Sequence, residues 1–124
     1  GPDTPCVPGA TYNVEFWGYG SSAGSLIYIE LRETGTAQHA VASGTGDASG
    51  GSYIVGGLEL KQGWNKYVGT ITIKEGIHSV YINNWYWNHP RGTTVAGQLI
   101  TGLKIDLAVL LNQGDLLKVA SFPF

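Results

Sequence analysis

Charge is scarce in this chain. Asp, Glu, Lys and Arg make up 13% of its 124 residues, about half of the roughly 25% usual in globular proteins. Seven Lys plus Arg against nine Asp plus Glu leave a net charge of −2. The cations nowhere cluster; the closest pair, Lys61 and Lys66, is ordinary surface spacing. Neutralising a phosphate backbone takes grouped cations, so nucleic acid is excluded as a partner class, and an anionic membrane surface is disfavoured with it. No apolar run approaches the ~20 residues of a membrane-spanning helix, so membrane insertion is not expected. Methionine is absent and cysteine occurs once, at Cys6. A single thiol forms no internal disulfide and excludes a cysteine-built zinc site. His39, His78 and His89 lack ligand spacing such as His-x-x-x-His.

Gly, Ser, Thr, Tyr and Trp fill the space that charge leaves. Nineteen glycines, four tryptophans and seven tyrosines fit a secreted or surface-displayed all-β module better than a cytosolic enzyme. The length suits a single domain with a core of its own. Gly1 to Gly9 contains three prolines. Residues 1–10 therefore read as a linker or tag remnant, with Gly1-Pro2 like a protease-cleavage remnant of a longer polypeptide, and 11–124 as one domain.

Strand periodicity recurs along that domain. Tyr12, Val14 and Phe16 alternate with Glu15, Trp17 and Tyr19; Ile27, Ile29 and Leu31 alternate with Leu26, Tyr28 and Glu30. The glycine-rich turn between the two runs predicts a hairpin, which would make Glu15 and Glu30 cross-strand neighbours. A short strand is expected over 38–43, then a loop over 44–51 and strands over 53–60 and 66–74. The run from 66 sets Val68, Thr70 and Thr72 opposite Tyr67, Ile71 and Ile73, and Trp64 before it reads as core. Leu103, Ile105, Leu107, Val109 and Leu111 share one parity, and Asn112-Gln113-Gly114-Asp115 turns into a last strand, 116–122. Some eight short strands with glycine-rich turns and no internal repeat predict an all-β fold: a β-sandwich or jelly roll of about eight antiparallel strands.

The most informative stretch runs from Ser79 to Pro90. Alternate strand residues face opposite ways, so Val80 and Ile82, the natural core pair, turn Tyr81, Asn83, Trp85 and Trp87 outward. Aromatics mixed with amides on a solvent face suit a ligand with both apolar and hydroxyl surfaces. Sugars are such ligands. Trp85 and Trp87 would stack on sugar rings and Tyr81 would widen the platform. Asn83, Asn84 and Asn88 would supply the donor and acceptor pairs that vicinal hydroxyls require. Arg91 would add donors, and Trp17 and Tyr19 would extend the surface from a neighbouring strand.

Gly63-Trp64-Asn65-Lys66-Tyr67-Val68-Gly69-Thr70-Ile71-Thr72-Ile73, with Ser79-Val80-Tyr81-Ile82 and Tyr12-Asn13-Val14-Glu15-Phe16-Trp17, resembles bacterial carbohydrate-binding modules of the β-jelly-roll type. The pattern covers about three quarters of the chain. It implies a non-catalytic module that binds a polysaccharide or glycan for an extracellular parent protein, as a monomer. Such modules usually open with one or two strands before the position of Tyr12, where this chain has its proline tail. A second likeness, Leu107 to Leu117, is to the closing hairpin of tumour-necrosis-factor-like and complement-like trimeric heads. It implies a trimeric receptor-binding head, of the kind also carried by phage fibres, as the alternative.

Other chemistries fit less well. Gly46-Asp47-Ala48-Ser49-Gly50-Gly51 is superficially similar to a serine-protease nucleophile segment, but Ala48 interrupts it and no base and orienting acid are placed with it. Paired carboxylates for glycoside hydrolysis must face each other across a cleft, which two outward acids on a hairpin do not. No enzyme activity is expected, and no cofactor. Calcium has a weak case in Asp47, Glu59, Asp106 and Asp115, since it wants six to eight oxygens and the chain has no Asp-x-Asp run.

Overall fold

The computed structural model describes residues 3–21, 24–50, 53–88, 93–94 and 100–107, the side chains of Ser25, 84–88, 93–94 and Leu107 excepted. These residues form two antiparallel sheets packed face to face. One contains β1 (Thr4–Pro5), β7 (Ser79–Asn88), β3 (Ser25–Glu33) and β5 (Val55–Leu60) in that spatial order, with β8 (Thr93–Thr94) added on β7. The other orders β4 (Val41–Gly46), β6 (Gly63–Ile73), β2 (Thr11–Gly20) and β9 (Ile100–Leu107). The described residues contain no helix, and so none long and apolar enough to cross a membrane.

Period-2 alternation builds the core. From one sheet come Ile27, Ile29, Leu31, Val55, Leu60, Val80 and Ile82; from the other Tyr12, Val14, Phe16, Tyr67, Ile71, Ile73, Leu103 and Ile105, all buried. Phe16 and Tyr67 stack at 5.4 Å with 20° between their planes, and the Tyr67 hydroxyl accepts the Lys61 amide at 2.9 Å. That bond satisfies the polar end of a buried ring.

From β2 to β7 each strand crosses to the opposite sheet, the winding of a jelly roll rather than of a meander. β2 and β3 therefore do not form the expected hairpin: β2 pairs with β6 and β9, and β3 with β5 and β7. Glu15 and Glu30 consequently belong to different sheets. The alternation that marks a strand carries no information about its partner, and a turn that looks like a hairpin serves as well to cross the sandwich.

The proline-containing segment is docked along the sandwich. Thr4 and Pro5 pair with Val80 and Ser79 at the sheet edge, where a residue without an N–H is tolerated. The Cys6 amide donates to the His78 carbonyl at 2.9 Å, and its thiol donates weakly to the Ile77 carbonyl at 3.4 Å. Burial, with the nearby Glu33 charge, pushes that thiol up to about 11. It is therefore almost wholly protonated at neutral pH and a poor nucleophile.

Candidate functional site

The register of β3 against β7 sets four cross-strand rows, of which those of Arg32 and Glu30 lie on the outer face of their sheet. Arg32 lies opposite Tyr81, Glu30 opposite Asn83, Tyr28 opposite Trp85 and Leu26 opposite Trp87. Val80 and Ile82 are buried, and Tyr81 and Asn83 are half-buried on the other parity. The inward and outward assignment expected from sequence thus holds through residue 83. The same register pairs Asn84 with the buried Ile29, one row out of phase with Asn83. The side chains of Asn84, Trp85, Trp87 and Asn88 lie outside the described residues, as does Arg91 altogether.

Glu30 is the unexpected member of this face. It points away from the core yet is only 1% exposed. Its cover comes from the chain beyond β3. The turn after Glu33 doubles back through hydrogen bonds from the Ala37 amide to the Glu33 carbonyl (3.0 Å) and from the Ala40 amide to the Leu31 carbonyl (2.8 Å). His39 is thereby bridged to Arg32. Tyr53 leads into β5, its ring 4.8 Å from His39 and edge-on to Tyr28 at 6.1 Å.

A carboxylate out of water must be paired and hydrogen-bonded, and Glu30 is. Its Oε2 accepts Arg32 Nε at 2.8 Å and Asn83 Nδ2 at 3.0 Å. Arg32 Nη1 donates to the Ala37 carbonyl at 2.7 Å, so one guanidinium ties carboxylate and turn together. The Glu30 hydrogen bond, its charge and the Tyr81 and Tyr53 phenols beside it hold the Arg32 pKa above its ordinary value, against a desolvation cost. His39 Nε2 lies 3.5 Å from Glu30 Oε1. That is too long for a hydrogen bond, and the nitrogen is buried without a partner. Ala37 adopts a left-handed φ of 60°, a conformation costly for a residue with a Cβ. Local strain of this kind concentrates at functional sites.

On the β5 side a bulge between Ile27 and Tyr28 leaves Gly57 as the extra residue, at φ 74°. A side chain there would begin 3.1 Å from the Tyr28 hydroxyl. The left-handed backbone thus favours glycine, and a side chain would in addition press on the Tyr28 hydroxyl. The result is a polar floor, with Arg32 and Asn83 held by a sealed carboxylate, among three tyrosine rings. Sequence reasoning found Tyr81 and Asn83 but missed Glu30, Arg32, His39 and Tyr53. The parity of β3 pointed to the first two, whereas the other two arrive through loops.

Trp17 and Tyr19 do not extend this surface. They lie on β2, in the other sheet, on the opposite outer face of the sandwich. Trp64, read from sequence as core, is there with them: it faces Tyr19 across the β2–β6 register and is 51% exposed. Counting back from Val68, an outward residue, would have placed it correctly. No protein-family model, curated protein or solved structure matches the chain, so the geometry stands by itself.

Among the described residues no three of His, Cys, Asp and Glu gather as a metal would require. Of the acids considered for calcium, Asp47 accepts the Val68 amide at 3.0 Å and shares with Glu59 the rim of a hollow of about 200 Å³. Asp106 pairs with Asn13 in the β2–β9 register, and Asp115 lies outside the described residues.

Proposed function

We propose that this is a non-catalytic carbohydrate-binding module of an extracellular protein, and that the outer face of β3 and β7 is where a polysaccharide or glycan docks. The observation that carries the reading is the Glu30 anchor. A carboxylate 1% exposed on an outward strand position holds Arg32 and Asn83 beside Tyr28, Tyr53 and Tyr81. Donors fixed before the ligand arrives lose little entropy on binding, and guanidinium, amide and phenol groups together match vicinal hydroxyls.

Ring stacking supplies the apolar part. An aromatic offers ~150–250 Å², so covering one face removes on the order of 75 Å² from water, worth about 2 kcal/mol at ~25 cal/mol per Å². Two or three rings, less the cost of association, give roughly micromolar to millimolar dissociation constants. Trp85 and Trp87 stand opposite Tyr28 and Leu26, next along the ribbon from the polar floor.

A glycan array on the purified chain, followed by calorimetry with the best ligand, tests the proposal. Tyr81→Ala and Trp85→Ala are each expected to weaken binding at least about tenfold, the loss of roughly one stacked ring, with little change in melting temperature. Unchanged affinity in both variants removes the site. Light scattering in solution separates the monomeric module from the trimeric head.

A further inference from the structure

The outer face of the β4-β6-β2-β9 sheet presents a second aromatic group, independent of the first. Trp17, Tyr19 and Trp64 are 44%, 38% and 51% exposed, and no described residue covers them. Trp17 and Tyr19 are two residues apart on β2, about 6.7 Å along the strand. Trp64 lies across from Tyr19 on β6, ring centroids 5.5 Å apart. A bulge in the β2–β9 register sets Gly102 at φ 65° beside the Trp17 indole, where a side chain would begin 3.7 Å from Cδ1.

We infer that Trp17, Tyr19 and Trp64 form a second saccharide-contacting platform, for the apolar faces of pyranose rings in an uncharged polysaccharide, so that one monomer binds through both outer faces. The inference rests on the carbohydrate reading of the protein.

Size and charge select this occupant. Half-exposed rings of ~150–250 Å² each present roughly 300 Å² together, well short of the ~800 Å² per partner of a stable protein interface and enough for a few sugar rings. The nearest charges compensate one another. Glu15 is 2.7 Å from Lys66 Nζ and 3.9 Å from Lys104 Nζ, and the Lys66 hydrogen bond holds the Glu15 carboxyl below the usual carboxylate range. Glu15 is answered by both lysines, and the exposed Asp106, opposite Asn13 on β9, adds a second acid. Among the described residues two acids thus balance two lysines here, and neither sign forms a cluster that would select a charged polymer. Thr101 and Lys66, the cross-strand partners of Trp17, flank the platform as hydrogen-bonding groups for ring hydroxyls. Two weak sites on opposite faces gain through multivalency on a repeating ligand.

The test is affinity electrophoresis of the full chain through gels containing hydroxyethyl cellulose, xyloglucan, galactomannan or polygalacturonate, using the wild type, Trp64→Ala, Trp17→Ala, Tyr81→Ala and the Trp64→Ala/Tyr81→Ala double variant. At least one uncharged polymer is expected to retard the wild type. Each single variant weakens that retardation about tenfold or more, and the double variant runs as in an empty gel. Wild-type protein is also expected to cross-link the polymer into a turbid suspension while remaining monomeric by light scattering. Wild-type retardation abolished by Tyr81→Ala, with Trp64→Ala and Trp17→Ala indistinguishable from wild type, overturns the second platform and leaves the first site standing. Loss of retardation in the tryptophan variants alone supports the platform and moves carbohydrate binding off β7. A dimer dissolved by Trp64→Ala, or retardation by polygalacturonate alone, overturns the assignment to an uncharged saccharide. No retardation by any polymer removes the carbohydrate reading as a whole.

Discussion

The two outer faces of the sandwich handle acids and rings in opposite ways. On the β3–β7 face the acid is sealed: Glu30 is bonded to Arg32 and Asn83 beneath a turn and a tyrosine. On the β2–β6 face the acid is open. Glu15 meets Lys66 and Lys104 in solvent, and the rings beside it are exposed. Similar strands with similar alternation thus yield a preorganised polar floor in one place and an uncovered aromatic shelf in the other. The difference comes from what the connecting segments do: residues 34–40 and Tyr53 fold over β3, whereas no described loop folds over β2.

Breaking the sealed carboxylate should have the largest effect. Glu30→Ala removes the carboxylate that holds Arg32 and Asn83. Because the Arg32 side chain remains 21% exposed, the loss is that of buried hydrogen bonds left unmade, about 1–3 kcal/mol. Urea unfolding is expected to show that loss, while Glu15→Ala lowers the midpoint only slightly, as the loss of a surface ion pair does. Equal effects would erase the contrast between the faces.

Backbone substitutions around the same floor come next. Gly57→Ala should destabilise by about 1–2 kcal/mol, the cost of a left-handed conformation with a Cβ, and should also press on the Tyr28 hydroxyl. Ala37→Gly should do the reverse and stabilise by about 1 kcal/mol. Thermal melts of the pair check both signs; a destabilised Ala37→Gly would mean that the turn over Glu30 is not held under strain.

Trp64→Ala should change stability by no more than ~0.5 kcal/mol, as surface substitutions do. A loss of several kcal/mol would return Trp64 to the core role that its residue type suggests. The smallest effect concerns pH. The Glu15 carboxyl sits below its ordinary range because Lys66 donates to it. Its contribution is therefore fully present above the unfolded pKa and lost as pH falls through the folded one. Replacing Lys66 with Met should shallow the acid limb of the stability profile slightly, and high salt should mask the change.

Alternation in the sequence located the inward rows of β2, β3, β6, β7 and β9, because burial on one face imposes period 2 on the residues themselves. Partners were not legible. The step from Tyr19 to Leu26 looks like a hairpin and is a crossing, since sheet choice depends on contacts with β6 and β7 more than 40 positions further along. Thr4 and Pro5 gave no strand signal, because an edge position tolerates proline. Half of the polar floor was likewise hidden. Glu30 and Asn83 follow from strand parity, but the burial of Glu30 depends on His39 and Tyr53, which no periodicity brings to it. Trp64 was legible and was outweighed by the general tendency of tryptophan to be core.

Backbone amide NMR during titration with the best array ligand tests the carbohydrate reading most directly. Perturbations should include a saturable set at Tyr28, Arg32, Tyr53, Tyr81 and Asn83 that Tyr81→Ala weakens, separable from any set at Trp17, Tyr19 and Trp64 on the opposite face. Saturable shifts confined to residues of neither outer face, or a spectrum that no saccharide moves, would contradict it.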